Sequence, residues 1–319
     1  MLVDRFGRKH TYLRISLTDR CNLRCTYCMP QEKMDFVPYR SIMTAEEIVA
    51  LAHFFVEAGI TKIRLTGGEP LVRKDASDIF LALSQLPVTL TLTTNAVRTP
   101  SFIDVFKQAG IQSLNVSLDT LDAHRFEEMT RRNRFSHVWK NIVQLMDEGF
   151  EVKLNVVVMR GKNDHEVVDF VALTRDWPLE VRFIEYMPFP GNGWSRDQVV
   201  GMADMLEKIQ TQFDYIPLPL EAHATAKRFQ VPGFKGRFGM ITTVTQPFCG
   251  DCNRLRITAD GKIKHCLFSK GEIDLLSALR SGVPLAPLVQ AALFQKAAQT
   301  GGQSFTEPTQ NRPMISIGG

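Results

Sequence analysis

The chain has 319 residues, 44% of them hydrophobic and 23% charged, with a formal net charge of +4. That balance describes a globular protein of about two domains, and the charge is too small to expect nucleic acid as a partner. No apolar run reaches the roughly 18 residues of a membrane helix, and Met1 to His10 lacks the apolar stretch of a secretory signal. The expectation is a cytoplasmic protein that touches neither membrane nor nucleic acid, with its thiols kept reduced.

In chain order, strand patterns fall at 11–18, 62–67, 89–95, 113–119, 151–159 and 180–187. Helical patterns lie between them. Thr44 and Glu47 form a capping-box sequence before Ile48 to Ala58, with Gly59 as the stop. Asp75, Ser101 and Ser136 are placed to cap 76–86, 102–109 and 137–148, and 165–176 fills the last gap. Such βα alternation predicts a parallel sheet with right-handed crossovers.

The strands alternate rather than run apolar throughout. Arg14, Ser16 and Thr18 oppose Leu13, Ile15 and Leu17; Lys62, Arg64 and Thr66 oppose Ile63 and Leu65; Asn115, Ser117 and Asp119 oppose Leu114, Val116 and Leu118. A sheet covered by helices on both faces would be apolar on both, and a filled barrel would carry branched apolar residues inside. The pattern predicts a curved partial (β/α)6 barrel with a polar lumen. Beyond Met187 the alternation stops. A helix is expected at 199–213, irregular chain at 214–236, a strand at 238–245 and a hairpin at 254–268 turning at Asp260-Gly261. Helices at 272–281 and 286–299 and a loosely held tail from Thr300 follow. The division is 1–217, the barrel, and 218–319, a smaller domain closing it.

Six cysteines fall into two triads, Cys21/Cys25/Cys28 and Cys249/Cys252/Cys266, which in a reducing compartment argues for two metal sites. Soft thiolates select iron–sulfur clusters, zinc or copper(I). A cubane cluster takes one thiolate per iron, so a triad leaves one iron open; a structural zinc needs a fourth ligand supplied from elsewhere. His10 lies on the far side of the first strand, and His265, next to Cys266 in a strand, should point away.

The run Cys21-Asn-Leu-Arg-Cys25-Thr-Tyr27-Cys28 resembles the signature of the radical S-adenosylmethionine (SAM) enzymes. The resemblance implies a [4Fe-4S] cluster whose open iron holds SAM and delivers an electron that splits it. It also implies that Gly67-Gly68-Glu69 holds the SAM amino group and that Tyr27, Ser117 and Met187 line the SAM pocket.

Arg14, Lys62, Arg64, Lys153 and Arg182 lie on the inferred lumen face, and carboxylates do not match them strand for strand. Converging cations argue for a multiply charged anion, such as a nucleoside triphosphate. No Walker A sequence is present, so hydrolysis by that route is not expected. Arg254 and Arg256 follow Cys252 on one side of extended chain and suit a phosphate or base clamp.

The two triads, Asn253-Arg254-Leu255-Arg256 and a terminal Gly318-Gly319 together resemble the GTP 3′,8-cyclase family of molybdenum cofactor biosynthesis. The resemblance implies two [4Fe-4S] clusters and a 5′-deoxyadenosyl radical that takes hydrogen from C3′ of GTP, yielding 3′,8-cyclo-7,8-dihydro-GTP in a lyase-type reaction. It implies GTP contacts from Arg14, Arg64, Thr93, Lys153, Arg254, Leu255 and Arg256, and a catalytic role for Gly318 and Gly319. It implies as partners a reductase or flavodoxin-type electron donor and the downstream cyclic pyranopterin monophosphate synthase, and it allows a homodimer. Two other readings stay open: a peptide-modifying radical SAM enzyme with an auxiliary cluster, and a non-enzymatic zinc protein that binds nucleic acid.

Overall fold

The computed structural model describes residues 1–31, 34–306, 309 and 311–318. All six expected strands are present: β1 (Tyr12–Ser16), β2 (Lys62–Thr66), β3 (Thr89–Thr94), β4 (Ser113–Ser117), β5 (Glu151–Val158) and β6 (Glu180–Glu185). They pair in sequence order, all parallel. The helices between them are α1 (Ala45–Glu57), α2 (Ala76–Leu83), α3 (Ile103–Gln108), α4 (Ala123–Thr130), α5 (Phe135–Asp147) and α6 (Val167–Leu173).

The remaining chain extends this sheet at both ends. After α7 (Met202–Gln210) come β7 (Ile216–Pro217), β8 (Lys227–Gln230) and β9 (Arg237–Ile241); β9 lies parallel to β6 and carries β8 and β7 antiparallel. Then β10 (Arg254–Ile257), β11 (Lys262–Lys264) and β12 (Ile273–Asp274) follow, with β10 parallel to β1. The sheet runs β12-β11-β10-β1-β2-β3-β4-β5-β6-β9-β8-β7, and among the described residues its two ends are not hydrogen-bonded to each other. The barrel is therefore partial. Last come α8 (Leu275–Arg280), α9 (Leu285–Phe294) and α10 (Met314–Ile317).

The alternation has the expected consequence. Leu13, Ile15, Ile63, Leu65, Leu92, Leu114, Val116, Leu154 and Phe183 are buried in one core with Leu51 and Phe55 of α1, Phe80 of α2 and Ile142 of α5. The opposite, polar face lines the lumen. No helix among the described residues is long and apolar enough to cross a membrane.

Local expectations fare unevenly. The Thr44 capping box forms in both directions: Glu47 N–H donates to Thr44 Oγ1 at 3.3 Å, and Thr44 N–H to the Glu47 carboxylate at 2.8 Å. Asp75 sits at the N-cap of α2, but Arg73 takes its carboxylate at 2.7 and 3.0 Å, so it caps nothing. Ser101 lies inside a 3-10 turn and Ser136 inside α5. Helix α4 was not expected; Asp122 caps it by accepting from Arg125 N–H at 2.6 Å. Residues 214–236, expected to be irregular, contain β7 and β8, and 272–281 begins as β12 before turning into α8.

The tail is not loosely held. Phe305 packs edge-on against Phe268 with ring centroids 4.7 Å apart. Arg312 forks onto Asp260 with two bonds of 2.9 Å and reaches Glu272 at 2.6 Å. Ile315 and Ile317 are buried. The polar composition hid four apolar anchors, Phe305, Met314, Ile315 and Ile317, of which Phe305, Met314 and Ile317 share an aromatic cluster with Met187, Phe189 and Phe268.

Candidate active site

The lumen holds a cavity of about 720 Å³. Its lining brings together the first triad, Tyr27, Gly67, Gly68, Thr93, Ser117 and Met187 with Arg14, Lys62, Arg64, Lys153, Arg182, Arg254 and Arg256. Residues separated by more than 200 positions meet because β10 docks parallel beside β1: Arg14 is in register with Arg64 of β2 and Arg256 of β10, a row of three guanidinium-bearing residues on adjacent strands. Leu255 between the two arginines is fully buried in the core, so only its backbone can reach a ligand.

The first triad sits in the loop after β1. Burial pushes all three thiols up, Cys21 to about 12, helped by the Glu69 carboxylate; Asp119 adds to the rise at Cys25 and at Cys28. The sulfurs of Cys21 and Cys28 raise that of Cys25, so the three face one another. None is in a disulfide. Among the described residues no three His, Cys, Asp or Glu side chains are grouped to hold a single metal ion. Three neighbouring thiols suit a cubane with one thiolate per iron, whereas a structural zinc needs a fourth ligand. The donor chemistry thus fits a cluster. Asn95 supports the site, donating from Nδ2 to Cys21 Sγ at 3.5 Å and to Asn22 at 2.7 Å.

The paired glycines also meet the chain's own backbone. A Cβ at Gly67 would stand 2.7 Å from the Thr18 carbonyl oxygen, and one at Gly68 would strike the carbonyl of Arg20. What approaches so closely is the chain's own backbone entering the triad. Glu69 is buried, and its carboxylate accepts from Leu71 N–H at 3.1 Å, Thr94 Oγ1 at 2.8 Å and Asn95 N–H at 2.7 Å. It ties the loops after β2 and β3 together, and burial raises it to about 7. Tyr27 donates to Asp119 at 2.9 Å, and Asp119 also accepts from Val157 N–H at 2.9 Å.

The cations divide into two groups, correcting the expectation that carboxylates do not match them. On the β5–β6 side Lys153 pairs with Glu151 at 2.8 Å, and Glu180 holds Arg182 at 2.5 Å and Arg237 at 2.6 Å. On the β10–β1–β2 side the positive charge accumulates. Burial, then Arg256, Arg64 and Arg254, drive Arg14 well below the ordinary guanidinium range. Burial, with Arg254 adding to it, brings Arg256 to about 10. Thr93 Oγ1, Asn115 Oδ1 and Asn155 Oδ1 are buried in the lumen without a protein hydrogen-bond partner. Buried polar atoms are nearly always satisfied, so this wall suits a polar, anionic occupant.

The second triad joins the loop after β9 to the end of β11. Two buried cations that the sequence did not single out bracket it. Lys296 donates from Nζ to Cys252 Sγ at 3.7 Å, to the Arg254 carbonyl at 3.1 Å and to the His265 carbonyl at 2.5 Å. Arg8 donates to the carbonyls of Cys249 at 2.9 Å and Ala298 at 2.8 Å. Burial pushes the Cys252 thiol up, but Arg254 and Lys296 outweigh it and hold it at about 7. His265 is buried, and burial together with Lys296, Lys264 and Arg8 takes it down to about 4. Neither Lys296 nor Arg8 belongs to any recognisable spacing, so only the fold reveals them.

The tail reaches this wall. Gly318 adopts φ +85°, and a Cβ on it would lie 2.7 Å from Thr66 Oγ1 and 2.9 Å from Ser16 Cβ. Its carbonyl accepts from Arg256. Gly319 lies outside the described residues.

Residues 15–174 match the model of the Radical SAM superfamily, and 179–301 that of Molybdenum Cofactor Synthesis C. "GTP 3′,8-cyclase, mitochondrial" of Arabidopsis thaliana is 48% identical over all of this chain and 84% of its own length. The chain belongs to the GTP 3′,8-cyclase family of radical SAM enzymes. A GTP 3′,8-cyclase of Listeria monocytogenes is 40% identical over 93% of this chain and 91% of its own. "Molybdenum cofactor biosynthesis protein 1" of Bos taurus is 47% identical over 99% of this chain; the chain spans about half of that relative, 51%. Among solved structures, Streptococcus suis SuiB bound to S-adenosylmethionine superposes with a TM-score of 0.63 at 17% identity, covering 89% of this chain and 68% of that one. That likeness concerns the fold alone.

Proposed function

We propose that this chain is a GTP 3′,8-cyclase that converts GTP to 3′,8-cyclo-7,8-dihydro-GTP, the first step of molybdenum cofactor biosynthesis. The observation that carries the reading is that the first triad lines one cation-walled lumen together with Arg254 and Arg256, which extend directly from the second triad. Cys21, Cys25 and Cys28 would hold one [4Fe-4S] cluster, and Cys249, Cys252 and Cys266 the other. When bound, the first cluster and SAM supply the 5′-deoxyadenosyl radical that takes hydrogen from C3′ of GTP.

The chain's own residues bind and orient. Tyr27, Gly67, Gly68, Ser117 and Met187 line the SAM side, with Glu69 fixing the loop that carries the glycines. Arg14, Lys62, Arg64, Arg254 and Arg256 grip the triphosphate and direct the nucleotide between the triads, and Thr93 hydrogen-bonds it. Lys153 and Arg182, already paired with Glu151 and Glu180, set the far wall. Holding both reactants in one shielded lumen is what such radical chemistry asks of a protein. Gly318 and Gly319 complete the site from the tail.

Residues 1–217 act as the barrel and 218–319 as the cluster-bearing closure. The product would pass to a cyclic pyranopterin monophosphate synthase, and electrons would come from a reductase or flavodoxin-type donor. A homodimer and a cytoplasmic setting complete the proposal. The experiment is anaerobic reconstitution with iron and sulfide, then incubation with SAM, GTP and a reductant. Cyclised product should appear with 5′-deoxyadenosine; 5′-deoxyadenosine without any GTP consumed would overturn the assignment of substrate.

A further inference from the structure

Tyr12 is the residue of the lumen that neither the sequence pattern nor the proposed chemistry absorbs. It begins β1, lines the cavity, and its hydroxyl oxygen accepts a short hydrogen bond from Arg64 Nε. Arg64 is otherwise bonded only to the Leu92 carbonyl, at 3.0 Å, among its described hydrogen bonds. Cations face Tyr12 from every strand beside it. Lys62 Nζ lies 5.4 Å and the Arg64 guanidinium carbon 6.0 Å from its ring centroid. Arg14 follows two positions on along the same face, and Arg254 of β10 is its register partner. The carboxylates Glu151 and Glu180 are engaged by Lys153, Arg182 and Arg237 on the β5–β6 side.

We propose that Tyr12 is a positioning residue of the nucleotide site: as a phenolate it is the resident counter-ion of Arg64, and it takes up a proton from solvent when a nucleoside triphosphate enters. The inference rests on the reading that the triphosphate lies against the β10–β1–β2 wall. A hydroxyl oxygen that accepts from a guanidinium, with Lys62 and Arg254 beside it, suits an anionic acceptor. Burial alone would push the phenol up, but Arg64, Arg14 and Lys62 outweigh it and hold Tyr12 at about 7. A triphosphate arriving among the same cations reverses the local charge, which removes the reason for the phenolate and returns its proton. The device keeps Arg64 extended into the lumen before substrate binds and releases it to the phosphate. Proton uptake coupled to binding weakens GTP affinity as pH rises above about 7, by at most roughly tenfold per pH unit for one proton.

The test measures protons taken up per nucleotide bound, by anaerobic titration calorimetry of the cluster-loaded protein at pH 8 in buffers of different ionisation enthalpy. Wild type and Tyr12→Phe are compared with GTP and with guanosine, which carries no phosphate. The ionisation of GTP itself cancels between the two proteins. The expected result is about one proton more for wild type than for Tyr12→Phe with GTP, and no difference with guanosine. Equal uptake while both proteins bind GTP overturns the proposal. Failure of wild type to bind GTP at all would instead remove the underlying reading. Iron content and the thermal midpoint check that the variant folds. The same difference between wild type and Tyr12→Phe gives a second measure at pH 6: it should be smaller there than at pH 8, and an equal difference at both would also overturn the idea.

Discussion

Arg256 donates from Nη1 to the carbonyl oxygen of Gly318 at 2.9 Å. One residue follows the second cysteine pair and the other lies one place from the chain's end, so this bond ties the tail to the cationic wall. Gly318 can occupy the spot because it has no Cβ to collide with Ser16 and Thr66.

Removing Gly318 and Gly319 should therefore suppress cyclisation while SAM cleavage, iron content and GTP binding persist. Gly318→Ala should act in the same direction, since its φ of +85° and its contacts both disfavour a side chain. The assay is 5′-deoxyadenosine against cyclised product in each variant. Wild-type coupling in the truncation would make the tail a passive strap.

The two groups of cations should differ in binding. Arg64→Ala removes a guanidinium from the arginine-rich β10–β1–β2 wall and should cost about 1.5–3 kcal/mol, a factor of roughly ten to a hundred in GTP affinity. Lys153→Ala removes a charge already matched by Glu151 at 2.8 Å, so its effect should be smaller. Equilibrium binding of GTP to both variants checks the order; a larger loss for Lys153 would move the triphosphate to the β5–β6 side.

Lys296→Met should damage the second triad selectively. The buried ammonium serves two backbone carbonyls and Cys252 Sγ at once, and each acceptor left unsatisfied costs about 1–3 kcal/mol. Iron per chain should fall towards the content of one cluster after reconstitution. Full iron content with an unchanged unfolding midpoint would show that the contact carries nothing.

His10 should make the protein acid-sensitive. Burial, with Lys296 adding to it and Asp4 opposing, depresses it to about 4 from the ordinary 6.5. The folded state holds it neutral while the unfolded chain binds a proton. Stability is thus present above about 6.5 and lost as pH falls from there towards 4, by up to about 1.4 kcal/mol per pH unit. Glu69, raised to about 7, acts oppositely over an overlapping range, so the comparison must be between variants. His10→Gln should flatten the fall in urea midpoint between pH 6.5 and 5; an unchanged slope would contradict this.

The barrel was legible because Leu13, Ile15, Ile63 and Leu65 alternate with Arg14, Ser16, Arg64 and Thr66, and that period can be satisfied only with one apolar and one wet face. The triads were legible as spacings. Lys153 and Arg182 were found, but their partners Glu151 and Glu180 were not counted against them, although each stands two positions earlier on the same face. Tyr12, Lys296 and Arg8 left no local signal: each matters through a neighbour distant in sequence. The tail was misjudged because its polar composition masked the spacing of Phe305, Met314, Ile315 and Ile317, of which Phe305, Met314 and Ile317 pack with Phe268 and Met187.

The central claim is that the lumen presents C3′ of GTP to the radical derived from SAM. The direct measurement uses GTP carrying deuterium at C3′, incubated anaerobically with the cluster-loaded protein, SAM and a reductant, followed by mass analysis of 5′-deoxyadenosine. The account predicts deuterium in 5′-deoxyadenosine together with cyclised nucleotide. Unlabelled 5′-deoxyadenosine with all deuterium retained in the nucleotide would contradict it.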